Sequence, residues 1–363
     1  MSYRNIGIYR DSETIRYHLD HFTHHTPNEW AVYDDLGHFL NSDNPVNLAF
    51  LHLPFPFTLD TQAKLDQLRE KCDHVFAVGS ELHNVTCDFI KRNDYANITY
   101  YICGQLNFDL EHASIGHYYD WFDTSRYFYK TYLPEILTRI KHSEPKSAGF
   151  DILLGRKKLH RDQVYKFVKN NLRIEEYVMT YFNEYQISFD TGHDQWRWEE
   201  PGLRFIDTPK WTVDRVEYFG HRMSLSQIIP IGIYNQTNYS VIAETNYNKD
   251  YSFYTEKTSK PIIARRLFVM FGGQYYLRNL RKLGFKTFDN VIDESYDEID
   301  NDIIRWAEAC KQIQYLCQQD PAEILKKIQP IVDHNFNVMM TTDWHLDFVK
   351  DLELKVDKIL QQT

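Results

Sequence analysis

Residues 267–271, LFVMF, form an unbroken apolar run closed by the glycine pair Gly272-Gly273. A run that short and that apolar fits a strand buried on both faces, which places it in a parallel sheet covered by helices. Upstream, residues 240–244 (SVIAE) have the same character. Between the two lie a polar Thr255-Glu256-Lys257-Thr258 turn and a short helical segment. Strand, polar loop and helix N-terminus in that order present free backbone N–H groups and the positive end of a helix dipole, the arrangement that holds diphosphates in open α/β sheets.

The same alternation runs through the chain. Residues 5–9, 30–33, 46–53, 73–78 and 98–102 read as strands, while 59–71 and 82–91 read as helices. Strands separated by helices of this length need crossover connections, so a parallel sheet is expected in the first part of the chain. Residues 143–149, SEPKSAG, have the small, polar, proline-containing composition of a hinge, and 151–154 opens a second series of strands. A chain of 363 residues can bury two cores. The expected organisation is an N-terminal α/β domain over 1–145, a C-terminal one over 146–342 and a last helix over 343–363. On that helix Val349, Leu352, Val356 and Ile359 form one apolar stripe. Residues 118–132, YYDWFDTSRYFYKTY, are dense in aromatics and show no clean period.

Composition excludes several classes. Hydrophobic content of 43% and charged content of 25% are those of a globular chain. A formal net charge of -10 argues against long nucleic acid as the default partner. No window approaches the roughly 18 apolar residues of a membrane span, and the N-terminal stretch lacks an apolar signal core. Cys72, Cys87, Cys103, Cys310 and Cys317 are an odd number without C-x-x-C spacing, so reduced core thiols of a cytoplasmic protein are expected. His18, His21, His24 and His25 cluster in sequence, but no neighbouring thiol or carboxylate set completes a metal site. The seven carboxylates of residues 289–302 lack the glycine and ligand spacing of a calcium loop and read as a solvated turn before a helix.

Two segments carry candidate chemistry. In the Thr255–Thr258 turn, Glu256 can accept hydrogen bonds from ribose hydroxyls and Lys257 can meet phosphate oxygens, with Lys260, Arg265 and Arg266 adding charge nearby. The same residue types also read as a capped helix start with solvated first turns. Residues 155–161, GRKKLHR, place Arg156, Lys157, Lys158, His160 and Arg161 at a strand-to-helix junction. Positive side chains there oppose the helix dipole, and an anion would relieve the conflict.

The run YSFYTEKTSKPIIARRLFVMFGG resembles the donor-site segment of fucosyltransferase-like, two-domain glycosyltransferases of the GT-B architecture. In that family a Thr/Ser-Glu-Lys element opens a helix, a small or apolar helix follows, and a strand ends at Gly. Residues 150–168, FDILLGRKKLHRDQVYKFV, resemble the first strand and helix of the same domain. The likeness covers roughly half the chain and is weak in the N-terminal half. It departs from the pattern at Ser259 and Pro261, where the family has an unbroken helix. The resemblance implies two Rossmann-like domains with a cleft between them and a terminal helix that crosses back to the first domain. It implies a nucleotide-sugar donor held by Arg156, His160, Arg161, Glu244, Thr255, Glu256, Lys257 and Lys260, with Glu256 on the ribose and Lys257 on the diphosphate. The implied reaction moves a sugar to the hydroxyl of an acceptor glycan or other molecule, without metal and with no cofactor beyond the donor. An inverting displacement needs a base from the N-terminal domain. Glu81 and His52, at the C-terminal ends of strands, are the candidates, although Glu81 reads equally as a helix cap. Two alternatives stand beside this reading. One is a non-catalytic nucleotide-sugar or glycan-binding protein that uses its aromatic surface. The other is a glycosyltransferase acting on a modified DNA base, for which DNA binding would depend steeply on salt.

Overall fold

The computed structural model describes residues 5–11, 29–54, 58–183, 186–188, 200–205 and 215–362. The chain divides into two compact α/β units, one of residues 1–120 with 343–363 and one of residues 121–342.

The first unit is built on six parallel strands: β1 (Asn5–Arg10), β2 (Glu29–Tyr33), β3 (Val46–Leu53), β4 (His74–Gly79), β5 (Ile98–Cys103) and β6 (Ser114–Tyr118). Their order is β2-β1-β3-β4-β5-β6. Helices Leu59–Lys71 and Asn84–Arg92 join β3 to β4 and β4 to β5. Ile6, Ile8, Leu48, Leu51, Phe76 and Ile102 are fully buried, as near-continuous apolar strands covered on both faces must be. The order turns around between β1 and β3, so the C-terminal ends of those two strands flank the switch point of the sheet. The last helix, Leu346–Gln362, belongs to this unit. Phe348, Val349, Leu352 and Val356 are buried, while Ile359 is only half-buried. Phe348 meets Tyr101 edge-on at 4.9 Å, and the Tyr101 hydroxyl donates to Asp351 at 2.9 Å.

The second unit is built on β7 (Ala148–Arg156), β8 (Tyr177–Asn183), β9 (Gln186–Ser188), β10 (Thr237–Ala243) and β11 (Phe268–Phe271), ordered β9-β8-β7-β10-β11. Only the β8–β9 pairing is antiparallel within this sheet. The switch point lies between β7 and β10. A separate antiparallel ribbon is formed by Leu203–Phe205, Arg215–Tyr218 and His221–Ser224. Beneath β7 and β10 the buried Arg266 guanidinium donates to Asp151 at 2.7 Å, to Ser240 Oγ at 2.9 Å and to the carbonyls of Tyr234, Thr237 and Tyr239. Burial holds the Asp151 carboxyl above its usual range against the pull of Arg266, Ser240 and Thr237.

Several expectations change. The division falls after Asp120, ahead of the hinge-like 143–149 segment. The aromatic-rich stretch is a helix, Asp120–Tyr132, followed by a 3-10 turn, Pro134–Arg139. Phe122, Tyr129 and Ile136 of these elements are buried, and the Tyr129 hydroxyl accepts the Ile229 N–H at 2.9 Å. Residues 143–147 instead form a turn within the second unit that leads into β7, tied down where the Lys146 N–H donates to Asn238 and Asn238 donates to the Ala148 carbonyl. Among the thiols, Cys72, Cys87, Cys103 and Cys310 are buried, but Cys317 is exposed. The histidine cluster at His18, His21, His24 and His25 lies outside the described residues. No helix among the described residues is long and apolar enough to cross a membrane.

The acid-rich segment also departs from its expected reading, because it is not uniformly solvated. Asp297, 2% exposed, accepts the Leu277 and Arg278 N–H groups that open helix Tyr276–Lys282. Glu294 accepts the Phe288 N–H at 2.7 Å and Arg281 at 3.1 Å. Burial pushes its carboxyl up to about 7 despite Thr287, the Phe288 amide and Arg281. The folded state therefore holds this proton more tightly than the unfolded chain. Stability contributed by the protonated form is present below about pH 4.5 and is lost as pH rises through about 7. Glu294→Gln is expected to raise stability at pH 8 relative to wild type, by on the order of 1–3 kcal/mol, and to make little difference at pH 4.5. Melting temperatures of both proteins across that range provide the check.

Candidate functional site

The C-terminal end of β10 carries Glu244, whose side chain is fully buried. Its Oε1 accepts the Thr255 N–H at 3.1 Å, the Thr258 hydroxyl at 2.7 Å and the Tyr276 hydroxyl at 3.0 Å. Its Oε2 accepts the Thr245 N–H at 2.8 Å and the Thr255 hydroxyl at 2.7 Å. One carboxylate thus fixes the strand end, the loop return and the first turn of the next helix. With these five donors on its two oxygens and no exposed surface, Glu244 orders the site and does not meet a ligand directly. That corrects its expected place among the donor-contacting residues.

The helix it anchors, Glu256–Ile263, is capped by Thr255, whose side chain accepts the Lys257 N–H at 3.3 Å. Pro261 lies inside the helix, which nevertheless continues to Ile263. The stop comes from Arg265, which adopts a left-handed conformation at φ 53° and lets the Arg266 N–H reach back to the Pro261 carbonyl at 3.0 Å. Downstream, a Cβ on Gly273 would fall 2.3 Å from the Asn248 carbonyl oxygen, so the glycine is required by close backbone approach.

Glu256 and Lys257 sit in the first turn with partly exposed side chains, paired at 2.8 Å. Burial pushes the Glu256 carboxyl up, but Lys257 and Lys260 outweigh it and hold the group below its usual range. Lys257 also donates to Thr245 Oγ1 at 3.0 Å.

The basic junction after β7 joins the same strand end. Lys158 is the N-cap of helix Leu159–Asn171 and makes no side-chain cap bond; its Nζ donates to the Thr245 carbonyl. Arg161, 3% exposed, donates to the Glu244 carbonyl at 3.0 Å. His160, fully buried, donates from Nε2 to the same carbonyl at 2.7 Å, which fixes its tautomer because a carbonyl can only accept. Burial, followed by Arg161, Lys158 and Lys257, pulls this imidazole down to about 3, so it is neutral near pH 7. Its Nδ1 has no hydrogen-bond partner among the described residues. Arg156 ends β7, and its side chain lies outside the described residues.

The expected donor residues therefore separate into two groups. Thr255, Glu256, Lys257 and Lys260 form a capped, partly exposed helix start, whereas Glu244, His160 and Arg161 form the buried frame behind it. Sequence reasoning missed Thr245, Thr258, Tyr276 and Lys158 as parts of that frame. Only the Thr-x-x-Thr spacing of 255 and 258, which brings both hydroxyls to one side of a first turn, could have signalled a shared acceptor.

In the first unit, His52 lies near the C-terminal end of β3, opposite Val78 of β4, and Glu81 follows β4. Glu81 is not the cap of the following helix, whose N-cap is His83. The His52 N–H donates to Asp11 at 3.2 Å, and Lys64 meets the other oxygen of Asp11 at 3.0 Å. Burial lowers the His52 imidazole, while Asp11 opposes the shift. Asp11 follows β1 directly, at the switch point of this sheet, and no sequence motif marked it.

Comparison of the chain with protein-family models, characterised proteins and solved structures finds no match in any of the three.

Proposed function

We propose that the chain is a glycosyltransferase that moves a sugar from a nucleotide-sugar donor to an acceptor hydroxyl, with two Rossmann-like domains of the GT-B type. The donor binds to the second unit. One observation supports this reading: two strand-to-helix junctions, from β7 and from β10, meet at Glu244–Thr245, with Lys158 and Arg161 on its carbonyls and Lys257 on the Thr245 hydroxyl. Cations gathered at a switch point, beside a capped helix N-terminus, suit a diphosphate.

In this reading Glu256 accepts hydrogen bonds from ribose hydroxyls, and Lys257 stabilises the charge that grows on the diphosphate as the sugar departs. Thr255 and Lys260 complete the helix start, with Glu244 and His160 holding the backbone behind it. The first unit supplies the acceptor side, with Glu81 or His52 as the base. The donor is a substrate, and no further cofactor is invoked.

A thermal-shift screen of nucleotide sugars, followed by calorimetry, tests the assignment. Glu256→Ala removes charge-assisted hydrogen bonds of about 1.5–3 kcal/mol, which predicts roughly 10- to 150-fold weaker donor binding at an unchanged melting temperature. Unchanged affinity in the folded variant would remove Glu256 from the site.

A further inference from the structure

We infer that Arg278, stacked on Tyr275 just past the carboxyl end of β11, is a second anion site that takes the carboxylate or phosphate group of a small ligand. It stands on the geometry of the second unit and does not rest on the donor reading.

Tyr275 is held in the left-handed region, at φ 65° and ψ 15°, which a bulky side chain adopts only where its surroundings impose it. Its N–H donates to the Asp297 carbonyl at 2.8 Å, while the Asp297 carboxylate accepts the Leu277 and Arg278 N–H groups at 2.9 Å each. These amides are occupied within the protein, so the site is one of side chains. The turn sets the half-buried Tyr275 ring under the half-buried Arg278 guanidinium, whose carbon lies 3.5 Å from the ring centroid. Glycine would take this backbone conformation without strain; tyrosine adds the ring.

The stack covers one face of the guanidinium but supplies no acceptor for the N–H groups in its plane. Arg278 Nε is buried and has no hydrogen-bond partner among the described residues. Four other arginines of this unit, Arg265, Arg266, Arg281 and Arg305, each meet a carboxylate. Arg278 makes no ion pair among the described residues, and a buried donor without an acceptor is the exception in folded proteins. A guanidinium fixed by one face presents its fork edge-on, the geometry that matches carboxylate and phosphate oxygens. Ala243 lies opposite Phe271 in the β10–β11 register, so Tyr275 and Arg278 follow the same sheet end as Glu244, where open α/β sheets bind ligands.

Phenylglyoxal labelling of the full chain, read residue by residue by peptide mass spectrometry, tests the proposal. The probes are inorganic phosphate and glucuronate, with glucose and sodium chloride at matched ionic strength as controls. Arg278 is expected to be protected saturably by phosphate, by glucuronate or by both, and by neither control; the probe that protects it identifies the group bound. Anion held only at Lys158 or Lys257 would leave Arg278 labelling unchanged, which keeps this result separate from the donor site. Arg278→Gln should weaken calorimetric binding of the protecting anion about 10- to 150-fold, with Arg278→Lys, which keeps the charge and loses the fork, in between. Tyr275→Gly should keep or raise the melting temperature, because glycine accepts φ 65°, and still lose affinity. Arg278 labelling indifferent to both anions, equal protection by sodium chloride, or undiminished affinity in a folded Arg278→Gln protein would overturn it.

Discussion

Glu244→Gln is expected to destabilise the second unit by about 2–6 kcal/mol and to remove donor binding. The new amide nitrogen cannot accept, so on either side of the carboxamide at least two donors lose their partner. If it replaces Oε2, those donors are the Thr245 N–H and the Thr255 hydroxyl. Each buried donor left unsatisfied costs about 1–3 kcal/mol. For a unit of this size that corresponds to a fall of about 4–24 °C in melting temperature. The loop that carries Thr255 and the first turn carrying Thr258 share this acceptor, so the loss should extend to ligand affinity. Thr258→Val removes a single donor and should cost much less. Calorimetric melting of both variants, with donor titration, separates the frame from the individual bond. A Glu244→Gln protein with wild-type stability and affinity would show that the buried carboxylate does not organise the site.

Asp151→Asn should cost about 3–5 kcal/mol, because it leaves the Arg266 guanidinium buried without its counter-charge. The expected fall in melting temperature is about 6–20 °C. Replacing both partners, Asp151→Leu with Arg266→Met, removes the charge along with its counter-ion and should recover most of that loss. The pair lies beneath the two strands whose ends form the candidate site, so its loss should loosen the β7–β10 pairing first. Hydrogen exchange of the Val241 amide would report that opening. A double variant no more stable than Asp151→Asn would mean that hydrogen bonds from Arg266 to the Tyr234, Thr237 and Tyr239 carbonyls matter more than the charge pair.

The central strands were legible in the sequence because burial on both faces leaves a continuous apolar run, as in Val46–Leu53 and Phe268–Phe271. The helix Leu59–Lys71 was equally legible from its period. The aromatic helix Asp120–Tyr132 was not, since its rings point both into the core and outward and blur the 3.6-residue spacing. That same ambiguity put the division between units too late. At the site, Thr255 and its helix could be read from local chemistry. The role of Glu244 could not, because its partners lie as far as 32 residues downstream at Tyr276. Buried acids such as Glu294 and Asp297 look like surface residues in a carboxylate-rich stretch until the fold supplies their amide donors.

The most direct test of the central claim is the release of nucleoside diphosphate from a nucleotide sugar, with water as the acceptor. The donor used is the one that raises the melting temperature most in the screen. A glycosyltransferase hydrolyses its own donor slowly, and Lys257→Ala should weaken binding and also lower the turnover of bound donor, because charge on the leaving diphosphate grows only in the transition state. Tight binding of a nucleotide sugar with no release of diphosphate above background would contradict catalysis and leave a binding protein in its place.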